Sequence, residues 1–189
     1  MNIQFLHHRV QTLETLLAHA NTALNALSAG DPAAVELTTR FLADAAAGYA
    51  SLGTSAAENE CLTLRAALAG ARRGPAGPGR RREAERAIAR QALAQSCERL
   101  RAESERNAET LRRAREEIGV LVHHAVENGL IEAGSGSTGD DRARRIWRVL
   151  VSAQHTRSAA RLLALRVAIP DVLLLIDERF AALTAAEHV

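Results

Sequence analysis

Between Arg80 and Asn128 the chain runs about 49 residues with no proline and one glycine, Gly119, late in the stretch. As a single α-helix this segment is roughly 73 Å long at about 1.5 Å per residue. That exceeds the width of a compact domain of 189 residues, so other segments, or a partner, must lie along it. Within it Leu93, Cys97, Leu100, Ser104, Asn107, Leu111, Ala114, Ile118, Leu121 and Ala125 alternate in steps of four and three. This is a heptad seam, apolar at both ends and polar at Ser104 and Asn107. Extended backwards, the register meets Arg90 and Arg86, which cannot begin an apolar seam. The first turns therefore read as solvated or turned toward something acidic.

The apolar residues elsewhere are mainly Ala and Leu. The aromatics are Trp147, Tyr49, Phe5, Phe41 and Phe180. Ala and Leu favour helix, whereas strands draw on β-branched and aromatic residues. The expected class is all-α, a multi-helix bundle of about six helices with the long heptad-patterned helix as its spine.

Ile3, Leu6, Val10, Leu13, Leu17, Ala20, Leu24 and Leu27 step by three and four and predict a first helix over residues 3–28, closed by Gly30. Asp31 is positioned to cap the second helix, with Pro32 at its first position, where a missing N–H costs nothing. Leu37, Phe41, Ala45, Tyr49 and Leu52 form its stripe, and it stops near Gly53. The short connection predicts an antiparallel hairpin. Ser55 and Glu58 have capping-box spacing before a third helix carrying Cys61, Leu64 and Leu68. The stretch Gly74 to Gly79, rich in Pro and Gly, breaks the helical pattern. It is read as a linker between a three-helix unit (1–73) and a second unit (80–189). The long helix ends at Gly129. A fifth helix is expected from Asp140 or Asp141 onward, kinked or ended by Pro170, and a sixth carries Leu173, Ile176, Phe180 and Leu183. Whether the seams close within the chain or with a second copy, as a homo-oligomer, is left open.

The chain has no lysine: all 24 basic residues are arginine. This excludes Schiff-base chemistry and the phosphate loop that depends on a lysine. Charge is uneven. Residues 72–115 carry thirteen Arg against six Glu, while the whole chain nets only +2. A local excess of this kind points to acidic partners. Cys61 and Cys97 lie on apolar faces and read as reduced core thiols. The first residues lack the apolar run of a leader, and no apolar run approaches a membrane span. The expected location is cytoplasmic, away from membranes.

Gly134, Gly136 and Gly139 match the dinucleotide fingerprint. That mechanism needs a preceding strand, and here a heptad helix precedes it, so the segment reads as a loop. His123, His124 and Glu127 have spacing that could hold a metal between helices. The Glu-x-x-His pairs of a di-metal bundle are absent, and neither metal nor cofactor is expected. No nucleophile motif stands out.

The arginine clusters carry the functional expectation. Arg142, Arg144, Arg145 and Arg148 surround Trp147, the only tryptophan, and Trp and Arg are enriched in binding hot spots. This face is the expected anchor of a non-catalytic helical protein–protein interaction module, such as an adaptor, inhibitor or assembly factor, for an acidic partner surface. The alternative is a nucleic-acid-binding regulator that uses Arg72, Arg73, Arg80, Arg81, Arg82, Arg86 and Arg90 on phosphates. Neither cluster is interleaved with aromatics, as single-strand binders require.

Overall fold

The computed structural model describes residues 5–74, 77–131 and 139–186, with side chains as far as Ala182. Among these residues the chain is all-α. Its helices are α1 (Leu6–Ser28), α2 (Ala34–Ser51), α3 (Ser55–Arg73), α4 (Pro78–Glu127), α5 (Gly139–Ser152), α6 (Arg157–Ala164) and α7 (Ile169–Ala186). The spine is α4, a single helix of 50 residues. Gly134 and Gly136 of the fingerprint-like segment lie outside the described residues.

The chain divides into two compact units, but not at the Gly/Pro stretch. The division falls inside α4, between Arg106 and Asn107. The reason lies in the seam. Ala89, Ala92, Leu93, Cys97 and Leu100 join α1–α3 in one core, whereas Ala114, Ile118, Leu121, Val122 and Ala125 join α5–α7 in another. Ser104 and Asn107, the polar seam positions, are half-buried between the two sets. The helices on either side of the Gly/Pro stretch, α3 and the first half of α4, belong to the same N-terminal unit. Arg72 at the end of α3 reaches Glu36 on α2 (3.2 Å) and Glu85 on α4 (3.7 Å).

In the N-terminal unit the helices run alternately up and down. His19 meets Asp44, while Thr12 and Leu16 lie against Gly48, so α1 and α2 are antiparallel. The pairing of Arg72 with Glu36 and Glu85, and of Arg99 with Glu60, extends the alternation through α3 and α4. The buried residues of α1 are Leu13, Leu16, Ala20, Ala23 and Leu27. Leu17 and Leu24 of the expected seam sit at its margin. Gly48 explains this rotation: a Cβ there would stand 2.9 Å from Leu16 Cδ1, so the missing side chain admits Leu16 between α1 and α2. Each Leu so buried contributes about 1.5–3 kcal/mol.

The helix ends follow local chemistry. At Gly30 (φ 73°) the Asp31 N–H bonds Ala26 O and the Gly30 N–H bonds Leu27 O; Gly53 (φ 64°) repeats this arrangement with Thr54 and Tyr49. Both are Schellman endings, which require a left-handed residue and therefore favour glycine. Asp31 Oδ1 accepts the Ala33 N–H at 2.8 Å, and the regular helix starts at Ala34, two residues beyond Pro32. The capping box does not form. Ser55 is already helical, and Thr54 occupies the cap position without a side-chain bond to the helix.

The C-terminal unit comprises residues 107–186 with the first turn of α1. Here the expected fifth helix is two, giving seven helices rather than six among the described residues. The break between α5 and α6 contains neither Gly nor Pro. The buried Thr156 hydroxyl donates to Leu150 O at 2.7 Å and holds the turn. Pro170 starts a helix instead of kinking one, as the second residue of α7, where it lacks no partner. Beside it Asp171 is fully buried. Its carboxylate accepts the Leu6 N–H at 2.7 Å and the His7 N–H at 3.2 Å, and lies 2.7 Å from His7 Nδ1. A side chain of α7 thus caps α1, satisfying two of the amides a helix start leaves open.

Candidate interaction surface

On the C-terminal half of α4, Ala114, Ile118, Leu121, Val122 and Ala125 turn into the core. The helical period then places Arg115, Glu116, Gly119, Val120 and His123 on the opposite side. On α7, Val172, Leu173, Ile176 and Phe180 are buried, and Leu175, Arg179 and Ala182 recur at i, i+4 and i+7 along one flank. These two stripes, with Glu178, line an open groove of about 640 Å³. Its walls are mostly apolar, and Val120 is 70% exposed at its edge.

The charges in the groove are almost fully matched. Arg115 Nη2 spans the two helices to Glu178 at 3.1 Å. Glu116 pairs with Arg112. His123 Nε2 lies 3.2 Å from Glu127. Arg179 is the exception: it makes no hydrogen bond or ion pair among the described residues, and its Nε is closed to solvent. A Cβ at Gly119 would lie 3.7 Å from that Nε, so the guanidinium rests against a position on α4 that has no side chain.

The arginines around Trp147 do not form one surface. Arg142 turns inward, pairs with Asp177, and lies 4.9 Å over the Phe180 ring. Its side chain is only 19% exposed. Arg144, Arg145 and Arg148 are exposed, with Trp147 half-buried against the core beside them. Arg144 pairs with Asp140 at 2.8 Å, and Arg148 Nε donates to Arg144 O at 3.4 Å. The α5 face therefore reduces to Arg144, Arg145, Trp147 and Arg148.

In the Arg72–Arg90 group, Arg72 is held by two carboxylates, and Arg73 Nε donates to Ala69 O at 3.3 Å. Arg80, Arg82, Arg86 and Arg90 are exposed, and Arg81 is half-buried. Arg82, Arg86 and Arg90 recur every four residues and share one stripe of α4. Further along, Arg112 and Arg113 bond Glu109 and hold its carboxyl down at about 2. Arg112 and Arg113 are thus neutralised on their own helix.

His123, His124 and Glu127 do not converge. His123 faces the groove with Glu127. His124 turns away, contacts Asn128, and stands edge-on to His155 with ring centroids 6.3 Å apart. The described residues contain no group of three or more metal-ligating side chains. His7 and Asp171 have the form of a general-base pair, yet His7 Nε2 is closed to solvent and has no hydrogen-bond partner among the described residues, so the pair acts as a clasp. Cys61 and Cys97 are free and buried. Burial pushes the Cys61 thiol up to about 11 and raises Cys97 as well. Neither is an activated nucleophile.

Sequence reasoning missed the groove. Two signals pointed to it: the only glycine inside the long stretch, and Val120, an aliphatic residue off the seam. No helix among the described residues is long and apolar enough to cross a membrane. No protein-family model, curated protein or solved structure matches this chain.

Proposed function

We propose that this chain is a non-catalytic helical protein–protein interaction module, an adaptor, inhibitor or assembly factor, that presents helix faces to an acidic partner. One observation carries the reading. Eight large apolar side chains are exposed among the described residues, and seven of them belong to the C-terminal unit: Phe5, Val120, Leu130, Leu162, Leu165, Ile169 and Leu174. Exposed apolar surface interspersed with charge marks docking sites. Here the interspersed charges include Arg115, Arg157, Arg161 and Arg179. The C-terminal unit is then the docking unit, and Arg144, Arg145, Trp147 and Arg148 offer an Arg/Trp anchor on it.

The test is low-salt affinity capture from lysate of the source organism, followed by calorimetry on the recovered partner. A stoichiometric protein is expected, bound less tightly when Trp147→Ala and Arg148→Ala are combined. Unchanged affinity would remove α5 as the anchor.

A second reading rests on the exposed stripe Arg82, Arg86 and Arg90, which could follow a phosphate backbone. It predicts binding of duplex or single-stranded nucleic acid that weakens steeply with salt and is lost when Arg86 and Arg90 become Glu. No gel retardation at low salt removes it.

A further inference from the structure

We infer that the α4/α7 groove receives an amphipathic helix of a partner protein, and that this helix carries a carboxylate among its apolar residues, with Arg179 as its counter-charge. The inference rests on the interaction-module reading and names the partner's chemistry.

Shape comes first. The groove lies between two helices, is open, and is lined on each side at helical spacing. A helix laid into such a groove inserts side chains at i, i+3, i+4 and i+7. Gly119 and Ala182 keep the lining shallow, and Val120 stands ready to pack against an incoming residue.

Charge decides the occupant. Glu178 and Glu116 already have arginine partners, so among the described residues the groove offers a new ligand one positive group without an ion pair, the half-exposed Arg179. Only its Nε is closed off. A carboxylate on the occupant pairs with the outer nitrogens of the guanidinium. A basic residue there is repelled. A second copy docked through the same patch would bring two Arg179 groups to one interface, because a two-fold contact pairs a patch with itself. We therefore assign the carboxylate to a different protein, and a second copy is an outcome of the test.

The test is selection of a phage-displayed library of helical peptides against the full chain, run in parallel on Val120→Glu and Arg179→Glu. Circular dichroism and Trp147 fluorescence confirm that both variants fold; Val120 is exposed enough to keep the test valid if Arg179→Glu does not. The wild type should enrich peptides with Asp or Glu flanked by large apolar residues at helical spacing. Synthetic versions should weaken about tenfold or more on Arg179→Glu, and a peptide with that acid changed to Arg should recover binding to the same variant. Three results would overturn the inference: no peptide family that Val120→Glu loses, binders without a carboxylate, or a wild-type dimer in light scattering that Val120→Glu dissolves. If a captured protein partner is weakened by the Trp147/Arg148 substitutions but not by Arg179→Glu, the groove assignment fails and the interaction module stands. If only nuclease-sensitive nucleic acid is captured, the module reading fails as well.

Discussion

Replacing Asp171 with Ala should be among the most destabilising single changes in the C-terminal unit. The carboxylate is fully buried and serves three groups: the Leu6 and His7 amides and His7 Nδ1. Hydrogen bonds to charged acceptors contribute about 1.5–3 kcal/mol each, and an abandoned buried donor costs about 1–3 kcal/mol. The imidazole is 29% exposed and can take up water in the variant, so its share shrinks. The two amides belong to the first turn of α1 and can fray outward at the expense of the packing of Leu6. Together these set the expected loss for Asp171→Ala at about 3–4 kcal/mol. Asp171→Asn keeps an acceptor oxygen but loses the charge, and should cost about 1–2 kcal/mol. His7→Ala removes one contact of the three and should cost less than Asp171→Ala. Urea unfolding at neutral pH followed by Trp147 fluorescence reads this unit, while far-UV circular dichroism reads the whole chain. With a slope of about 1–3 kcal/mol per molar urea, the midpoint for Asp171→Ala should fall by about 1 M or more. A loss under about 1 kcal/mol, or a His7→Ala loss equal to it, would refute the capping argument.

Two glycines on helices should respond in opposite ways. Gly48→Val drives a side chain into Leu16 and should cost about 1–3 kcal/mol, whereas Gly70→Ala enters open space on α3 and should stabilise by about 0.5–1 kcal/mol; equal effects in thermal unfolding would contradict the described packing of α1 on α2. Tyr49 Oη is buried with no hydrogen-bond partner among the described residues, so Tyr49→Phe should be neutral or stabilising by up to about 1 kcal/mol, and a clear loss of melting temperature would mean that the hydroxyl is satisfied by water. The native thiols should react slowly with a disulfide reagent at pH 8 and rapidly in urea. Because burial raises Cys61 from its ordinary value of 9 to about 11, its contribution to stability is present below pH 9 and is lost as pH rises from 9 toward 11; Cys61→Ser should flatten that part of the pH profile.

Helical class, the long spine and the stops at Gly30, Gly53 and Gly129 were legible because they depend on local rules: backbone propensity, a 3.6-residue period, and the left-handed residue a helix end favours. The polar seam positions were legible as a departure, although their meaning was not. Ser104 and Asn107 divide the two cores on α4, and a linear pattern does not say which helices each half will meet. The Gly/Pro stretch looked like a boundary because it breaks helix, and breaking helix is local. Whether two helices then part or fold back on one another depends on Ala89, Leu93 and Leu100 sharing a core with residues of α1–α3 far away in sequence. The turn at 153–156 was illegible for a related reason: Thr156 closes it through a buried bond that no composition signal announces.

By itself, then, the sequence determined that the chain is helical, where most of its helices stop, and that lysine-dependent chemistry is excluded, because each of these follows from residue type and near-neighbour spacing. The tertiary structure decided which arginines are occupied. Arg142, Arg72 and Arg115 find carboxylates on other helices, and Arg179 lies over Gly119 with no counter-charge among the described residues. Ion pairing between helices is a matter of distance in space, and the contrast between a matched and an unmatched guanidinium arises only once the helices are packed.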